Sequence, residues 1–382
     1  MRKLGRFGTV AMAILLAGAG ACGGKDKGKK TTPGGTGGGS GSGSGDAVGM
    51  NDGDPTNDGA GGPGGDGAGG GDGAGGASGG DGAGSAGGGD GSGTAAEPAG
   101  PPIVPPNLDI SPEQARTEVE RHLRTARGML GSGVPDAEGA IREAQAALAV
   151  DGTSVDAIVV IAHANYHKRL YDTAEVILDG LLEKRPSSRN NEYLYYVYGL
   201  VYDKQNEKAK AFAAYKKAVS LSPTFVSALV NLGVHQLTNK QYRDAVETYE
   251  KLTSQLGKND APTWNSLGSA YRGISGDFDP GSSGRDEWLA KAENSFKRSQ
   301  TADRNYGPAY YNLGLLYLDA DPFPTGSGPM DTLARLNKAK TYFDEYKNMP
   351  GVDMALYDER MKDVTKLIKR EEKKRAKSKR ES

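Results

Sequence analysis

The residues of this chain that could do chemistry are few. His163 and His167 lie four apart. On a helix that spacing puts both imidazoles on one face, where they could hold a metal, although ordinary surface or groove histidines give the same pattern and no third ligand is evident. Two acidic stretches, Asp277-Phe278-Asp279-Pro280 and Asp319-Ala320-Asp321-Pro322, begin alike. Asp277, Asp279, Asp319 and Asp321 would offer hard oxygen ligands to calcium, but the Asp-Gly step and closing glutamate of a calcium loop are out of register. The same residues also suit turns, because Asp and Pro stop one helix and Asp starts the next. Cys22 is the only cysteine, so the chain has neither an internal disulfide nor a Cys-based metal site. No Gly-rich phosphate loop or nucleophile triad is recognisable. The expectation is a protein that is not an enzyme, with no cofactor, metal or small-molecule substrate.

The elements that must position these residues begin with the N-terminus. Arg2, Lys3 and Arg6 precede the apolar run VAMAILLAGAGA, which ends at Cys22. A positive start, a short apolar core and small residues before a cut site describe an export signal, and the run is too short and Gly-rich for a membrane span. Ala19-Gly20-Ala21-Cys22 resembles a bacterial lipobox, with Ala19 where leucine is commonest. The resemblance implies a lipoprotein signal peptide over 1–21 and a lipidated, N-terminal Cys22. The alternative is a cleaved signal with an incidental cysteine. Gly23 in place of Asp implies sorting to the outer membrane, facing the periplasm. Several acyl chains anchor firmly, at about 0.8 kcal/mol per buried methylene.

Residues 22–106 are chiefly Gly, Ser, Asp and Ala. Nine acids from Asp46 to Glu97 stand there with no base after Lys30. Such a stretch has almost nothing to bury and is expected to be a disordered tether with a root-mean-square span of roughly 50 Å. The formal net charge of -1 therefore hides an acidic N-terminal part and a basic tail, KREEKKRAKSKRES. That tail is either a solvated helix end or an attraction for envelope polymers, lipid head groups or the acidic tether itself. Nothing suggests nucleic acid.

From residue 107 the pattern turns helical and repeats. Gly199, Tyr202, Ala211, Tyr215, Ala218 and Pro223 form one copy. Gly233, Ala245 and Tyr249 form another, as do Ala174, Leu178 and Pro186. Trp264, Leu267, Gly268 and Tyr271 give a first half, Gly314, Tyr317, Ala339 and Phe343 a last copy, and Ala140, Ala144 and Ala147 an early, weaker one. Small residues let paired helices approach, and large ones fill the gaps. This ladder resembles the tetratricopeptide repeat (TPR), which implies an all-α helical-hairpin solenoid of about six repeats over 107–352. Residues 353–382 are read as a capping helix, with Met354, Met361, Val364 and Ile368 on one face, and the basic tail.

In an unbroken repeat the aromatic and the next signature alanine are nine residues apart, as Tyr202 and Ala211 are; from Tyr271 to Ala292 the gap is 21, and from Tyr317 to Ala339 it is 22. Two insertions of similar size are thus expected between helices A and B of the last two repeats, as neighbouring loops that either dock a partner or only turn the chain. The resemblance also implies a concave groove lined by helix A, with His163, Tyr166, Tyr193, Tyr196, Leu200, Val230, Asn231, Val234, Asn265, Tyr311, Asn312 and Leu315. It would suit an extended peptide or partner helix; the lysines and arginine of a carboxylate clamp are absent at most matching positions. The layout of lipobox, Gly-rich linker and TPR array with late insertions is similar to the TPR lipoproteins of the myxobacterial adventurous gliding motility apparatus. That resemblance implies a membrane-anchored scaffold binding envelope proteins. A pilotin-like lipoprotein assisting secretin or pilus assembly, and a calcium- or peptidoglycan-binding envelope protein, are the alternatives.

Overall fold

Short polar side chains set most helix starts here by accepting the free N–H groups of a first turn. In the computed structural model, which describes residues 110–381, Ser111 and Gln114 exchange bonds in a full capping box that opens α1, Pro112–Leu130. Asp136 caps α2 (Ala137–Val150), Ser154 caps α3 (Val155–His167) and Asn191 caps α5 (Glu192–Lys204). Asp260 caps α9 (Ala261–Ser275), Ser282 caps α10 (Ser283–Ala302) and Asp331 caps α12 (Thr332–Tyr346). Between them run α4 (Tyr171–Lys184), α6 (Lys208–Leu221), α7 (Val226–Thr238), α8 (Tyr242–Glu250) and α11 (Gly307–Asp319), and α13 (Met354–Glu381) ends the chain. Cys22, the expected signal segment 1–21 and the expected tether 22–106 lie outside the described residues.

Consecutive helices pair as six antiparallel hairpins, from α1–α2 to α11–α12, each stacked on the next, and α13 packs on α12. This is the TPR-type solenoid expected from the ladder of small and large residues. Among the described residues no helix is long and apolar enough to cross a membrane.

The ladder has a direct steric meaning. A Cβ placed on Gly199 would lie 2.3 Å from the ring of Tyr215; on Gly233, 2.7 Å from Tyr249; on Gly268, 2.6 Å from Phe296; on Gly314, 2.6 Å from Phe343. Helix B thus lays an aromatic ring flat on the bare backbone of helix A. In the second hairpin, Ala162 and Leu178 take the equivalent positions, both fully buried. A methyl appears on one helix where the ring shrinks on the other.

In hairpins two to four the turn between helices is equally regular. Arg169, Asn206 and Lys240 adopt left-handed backbone, with φ of 63°, 63° and 59°. The following N–H reaches back in each, Leu170 to Asn165 O, Glu207 to Tyr202 O and Gln241 to Gln236 O, in a Schellman-type close. The last two hairpins replace this turn with their insertions. The two insertions are not the similar loops expected. The first is mostly helix: only residues 276–282 separate α9 from α10, and the stretch read as polar loop becomes the first turns of α10. Leu289 is buried there and Trp288 packs on Tyr271 at 5.7 Å between ring centroids, so this stretch has an apolar face to bury. The second, residues 320–331, stays a loop and folds a small hairpin of β1 (Pro324–Thr325) and β2 (Gly328–Pro329).

Gly314→Ala should destabilise the protein by about 1–3 kcal/mol through overpacking against Phe343, outweighing the roughly 1 kcal/mol helix-propensity gain. Urea unfolding of Gly314→Ala, Phe343→Leu and the double variant measures the coupling. The double variant should be more stable than the sum of the singles allows, and strict additivity would contradict the steric account.

Candidate interaction surfaces

The concave positions are largely filled by their own packing. His163, Tyr166, Tyr196, Leu200, Asn231, Asn265, Tyr311, Asn312 and Leu315 are buried, and Tyr193, Val230 and Val234 are half-buried. The reason is contact between successive A helices. Tyr196 packs on Phe225 at 5.0 Å between ring centroids, and His163 of α3 meets Tyr196 of α5 edge-on at 6.1 Å. Asn312 donates to Asn265 Oδ1 at 2.9 Å across α9 and α11, and Arg360 of α13 donates to Tyr311 Oη at 3.3 Å. The aromatic and amide groups expected along the groove are thus largely engaged with one another, joining repeat to repeat.

His163 and His167 do share a face, but as a buried relay. His163 Nδ1 lies 2.5 Å from Tyr193 Oη, and the two Nε2 atoms are 3.2 Å apart. One Nε2 must donate and the other accept, so a single proton sits between them. The surroundings are cationic: Arg127 stands 4.7 Å over the Tyr193 ring. Burial, then His167 and Arg127, hold the His163 imidazole well below its ordinary pKa. Burial, then Lys204, bring His167 down to about 4. Among the described residues no group of three or more His, Cys, Asp or Glu converges as metal ligands would.

The inserted edge has a different construction. The two insertions touch: Arg285 of α10 donates to Asp321 O at 3.2 Å, and Gly281 packs toward Pro322. Four of the inserted or flanking aspartates face an arginine, each from a different helix. Arg243 of α8 approaches Asp277 at 4.0 Å, and Arg272 of α9 bonds Asp319 at 2.6 Å. Arg335 of α12 meets Asp321 at 3.3 Å, and Arg375 of α13 bonds Asp331 at 2.5 Å. Asp331 is held below its usual range by the Ala334 N–H and then by Arg375. Asp279 is exposed and stands apart from these pairs. A guanidinium on each of four carboxylates opposes cation binding there.

Arg335 is the centre of this edge. Its side chain is 4% exposed, and Nη1 donates to the carbonyls of Tyr317 (2.5 Å) and Leu318 (2.9 Å) at the end of α11. It satisfies carbonyls that the longer loop leaves open. Phe323, 1% exposed, plugs the loop from beneath with its ring 4.5 Å from Tyr317. The hairpin tip, residues 325–329, is the longest wholly exposed run of this loop. Sequence reasoning marked the aspartates but missed the arginines; their signal is a basic residue recurring in successive repeats beside each insertion.

A second set of carboxylates joins repeat to repeat. Tyr198 donates to Asp179 at 2.5 Å, Tyr271 to Glu250 at 2.5 Å, Tyr317 to Glu293, and Tyr357 to Asp344 at 3.1 Å. Between α6 and α7 the pattern changes. There Asp203 accepts from Tyr215 at 2.9 Å and sits 3.0 Å from His235. Burial pushes Asp203 up, but the His235 and Lys208 contacts outweigh it and leave its pKa lowered.

These features define a helical-repeat solenoid, a fold of the protein-interaction scaffold type. A tetratricopeptide repeat family model matches residues 193–225, most of the third hairpin. No curated protein sequence matches the chain significantly. Among solved structures, PilF of Pseudomonas aeruginosa is similar at 16% identity and a TM-score of 0.47, over 64% of this chain and 97% of PilF. PilW, a type IV pilus biogenesis factor, is similar at 17% identity and a TM-score of 0.43, over 67% of this chain and 100% of PilW. YrrB, a TPR protein with an unusual peptide-binding site, shares 18% identity at a TM-score of 0.35, over 52% of this chain and 92% of YrrB. At these scores none of the three carries an argument about function.

The histidine relay gives a pH signature. Both imidazoles are neutral at pH 7. The unfolded chain protonates them as pH falls through the ordinary value of 6.5, whereas folded His167 waits until about 4. Their contribution is therefore fully present above 6.5 and drains away as pH falls toward 4. Urea midpoints measured across that window should fall more steeply for the native chain than for the variant His163→Gln/His167→Gln. Parallel curves would contradict the buried-neutral assignment.

Proposed function

We propose that this protein is a non-catalytic, lipid-anchored scaffold of the bacterial envelope that docks partner proteins on the edge formed by its inserted segments. The observation that carries the reading is the contrast between the two surfaces. The concave side chains are consumed by packing, whereas the inserted edge is fastened by Arg335 and its fellow arginines and still presents the exposed tip 325–329. A fixed tip loses little conformational freedom on binding, which favours specific docking. TPR solenoids bind peptides and proteins as a class, which supports a protein partner.

The anchor belongs to the same proposal. The lipobox-like run before Cys22 supports lipidation, the residue after it supports the periplasmic face of the outer membrane, and the long Gly-rich stretch supports reach from that membrane. The whole layout supports a place in a gliding-motility envelope complex. Pilotin-like assembly of a secretin or pilus is the alternative that the same experiment distinguishes.

Cys22→Ser should release the protein from the membrane fraction and abolish labelling by a radioactive fatty acid; persistent labelling would remove the anchor from the proposal. Cross-linking pull-down from native envelopes, with the intact chain and with Thr325→Lys/Ser327→Lys, tests the docking edge. Recovery of motility-complex proteins should drop about tenfold or more in the tip variant. Undiminished recovery would move the site to the concave face, and recovery of secretin or pilus assembly proteins would favour the pilotin reading. No specific partner from either form would overturn the scaffold.

A further inference from the structure

The last part of α13 is unlike the rest of the molecule. Tyr357 and Val364 bury into the core, with Met361 and Ile368 packed beside them. From residue 369 onward the helix makes no core contact, yet it continues to Glu381. Residues 369–381 hold eight Lys or Arg, three Glu, and no apolar side chain beyond Ala376. Arg375 pins this stretch to Asp331 on the inserted edge. Lys369, Arg370, Lys373, Lys379 and Arg380 are exposed and have no ion pair among the described residues. A long exposed helix with unpaired charges of one sign costs self-repulsion, so an opposite charge nearby is favoured.

We propose that this basic stretch of α13 docks the chain's own acidic segment, residues 46–97. Charge complementarity is the first argument. That segment carries nine acids and no base. The absence of aromatic and aliphatic side chains on the helix end is the second. An amphipathic helix that enters a lipid surface needs an apolar face, and this one has none, so its ligand is recognised by charge alone. Tethering is the third. Asp46 precedes the described fold by 64 residues, counting from Ile110. A coil of that length has a root-mean-square span of roughly 40–50 Å and extends much further when stretched, and membership of one chain makes the encounter independent of protein concentration. The contact lays the acidic segment beside Asp331 and the inserted edge, shortening the reach of the N-terminal end and shielding the exposed tip. It does not depend on the anchor or on the identity of a docked protein.

The test uses the full chain in non-ionic detergent with Cys22→Ser, and dyes on Ser78→Cys and Ser378→Cys. Energy transfer between the dyes should be high at about 20 mM salt and fall about twofold or more by about 500 mM, because exposed charges are screened beyond a Debye length. Lys373→Gln/Lys374→Gln/Lys377→Gln/Lys379→Gln/Arg380→Gln, which keeps Arg375, should show the low-transfer state at every salt concentration. Helicity by circular dichroism confirms that this variant remains folded. Transfer that is independent of salt, or equal in the two chains, would overturn the proposal. Vesicles of phosphatidylglycerol provide the second arm. Conversion of the nine acids to Asn or Gln should raise vesicle binding about tenfold by freeing the helix. Equal, tight vesicle binding by both chains would make the helix end a lipid-surface element and overturn the intramolecular contact.

Discussion

In four of the six hairpins a glycine of helix A lies under an aromatic ring of helix B, closer than any side chain would permit. This contact fixes the distance between the two helices and, with it, the register of every small residue above and below. Ala211, Ala245, Ala292 and Ala339 are all fully buried at the same level of helix B. The constraint also explains why two hairpins tolerate a dozen extra residues. The insertions fall at the open end of the hairpin, whereas Gly268–Phe296 and Gly314–Phe343 keep the close approach found at Gly199–Tyr215 and Gly233–Tyr249. A loop adds closure entropy only slowly with length, so a preserved helix contact is enough to hold the repeat together.

Stacking one hairpin on the next depends on a different device. Tyrosines of helix A reach carboxylates on the preceding helix B at four junctions, and an Asp203–Tyr215–His235 cluster serves a fifth. These bonds are directional, unlike the apolar packing around them, and they select one rotation between repeats out of many that bury similar area. The inserted edge extends the same logic. Asp319, Asp321 and Asp331 are fastened by arginines of three different helices, so the second insertion is continuous with the solenoid rather than appended to it.

The hairpin ladder was legible in the sequence because its steric rule acts within one repeat. Gly199 and Tyr215, or Gly314 and Phe343, lie on neighbouring helices joined by a turn, and the pattern recurs. The apolar face of α13 was legible for the same local reason. What failed to show were relations between repeats. Arg335 with the carbonyls of Tyr317 and Leu318, or Asn265 with Asn312, depends on how two A helices are rotated against each other, and no single periodicity encodes that rotation. The stretch before Ala292 misled for another reason. Its glycines and serines read as loop, but Trp288 and Leu289 supply a helical face whose partner, Tyr271, lies on the preceding helix.

The distribution of charge follows from these contacts. Within the solenoid, several acids are engaged by tyrosines and arginines, and His163 and His167 are kept neutral by burial and by Arg127 and Lys204. The two ends of the chain carry charge of opposite sign: acidic before the first hairpin, basic after the last apolar residue of α13. Packing between A helices has a parallel effect on shape: it takes up most of the side chains named along the concave face, and the inserted side presents features that protrude. The exposed tip 325–329 and the helix end beyond Arg375 are such features, and the Arg375–Asp331 pair places them on the same edge.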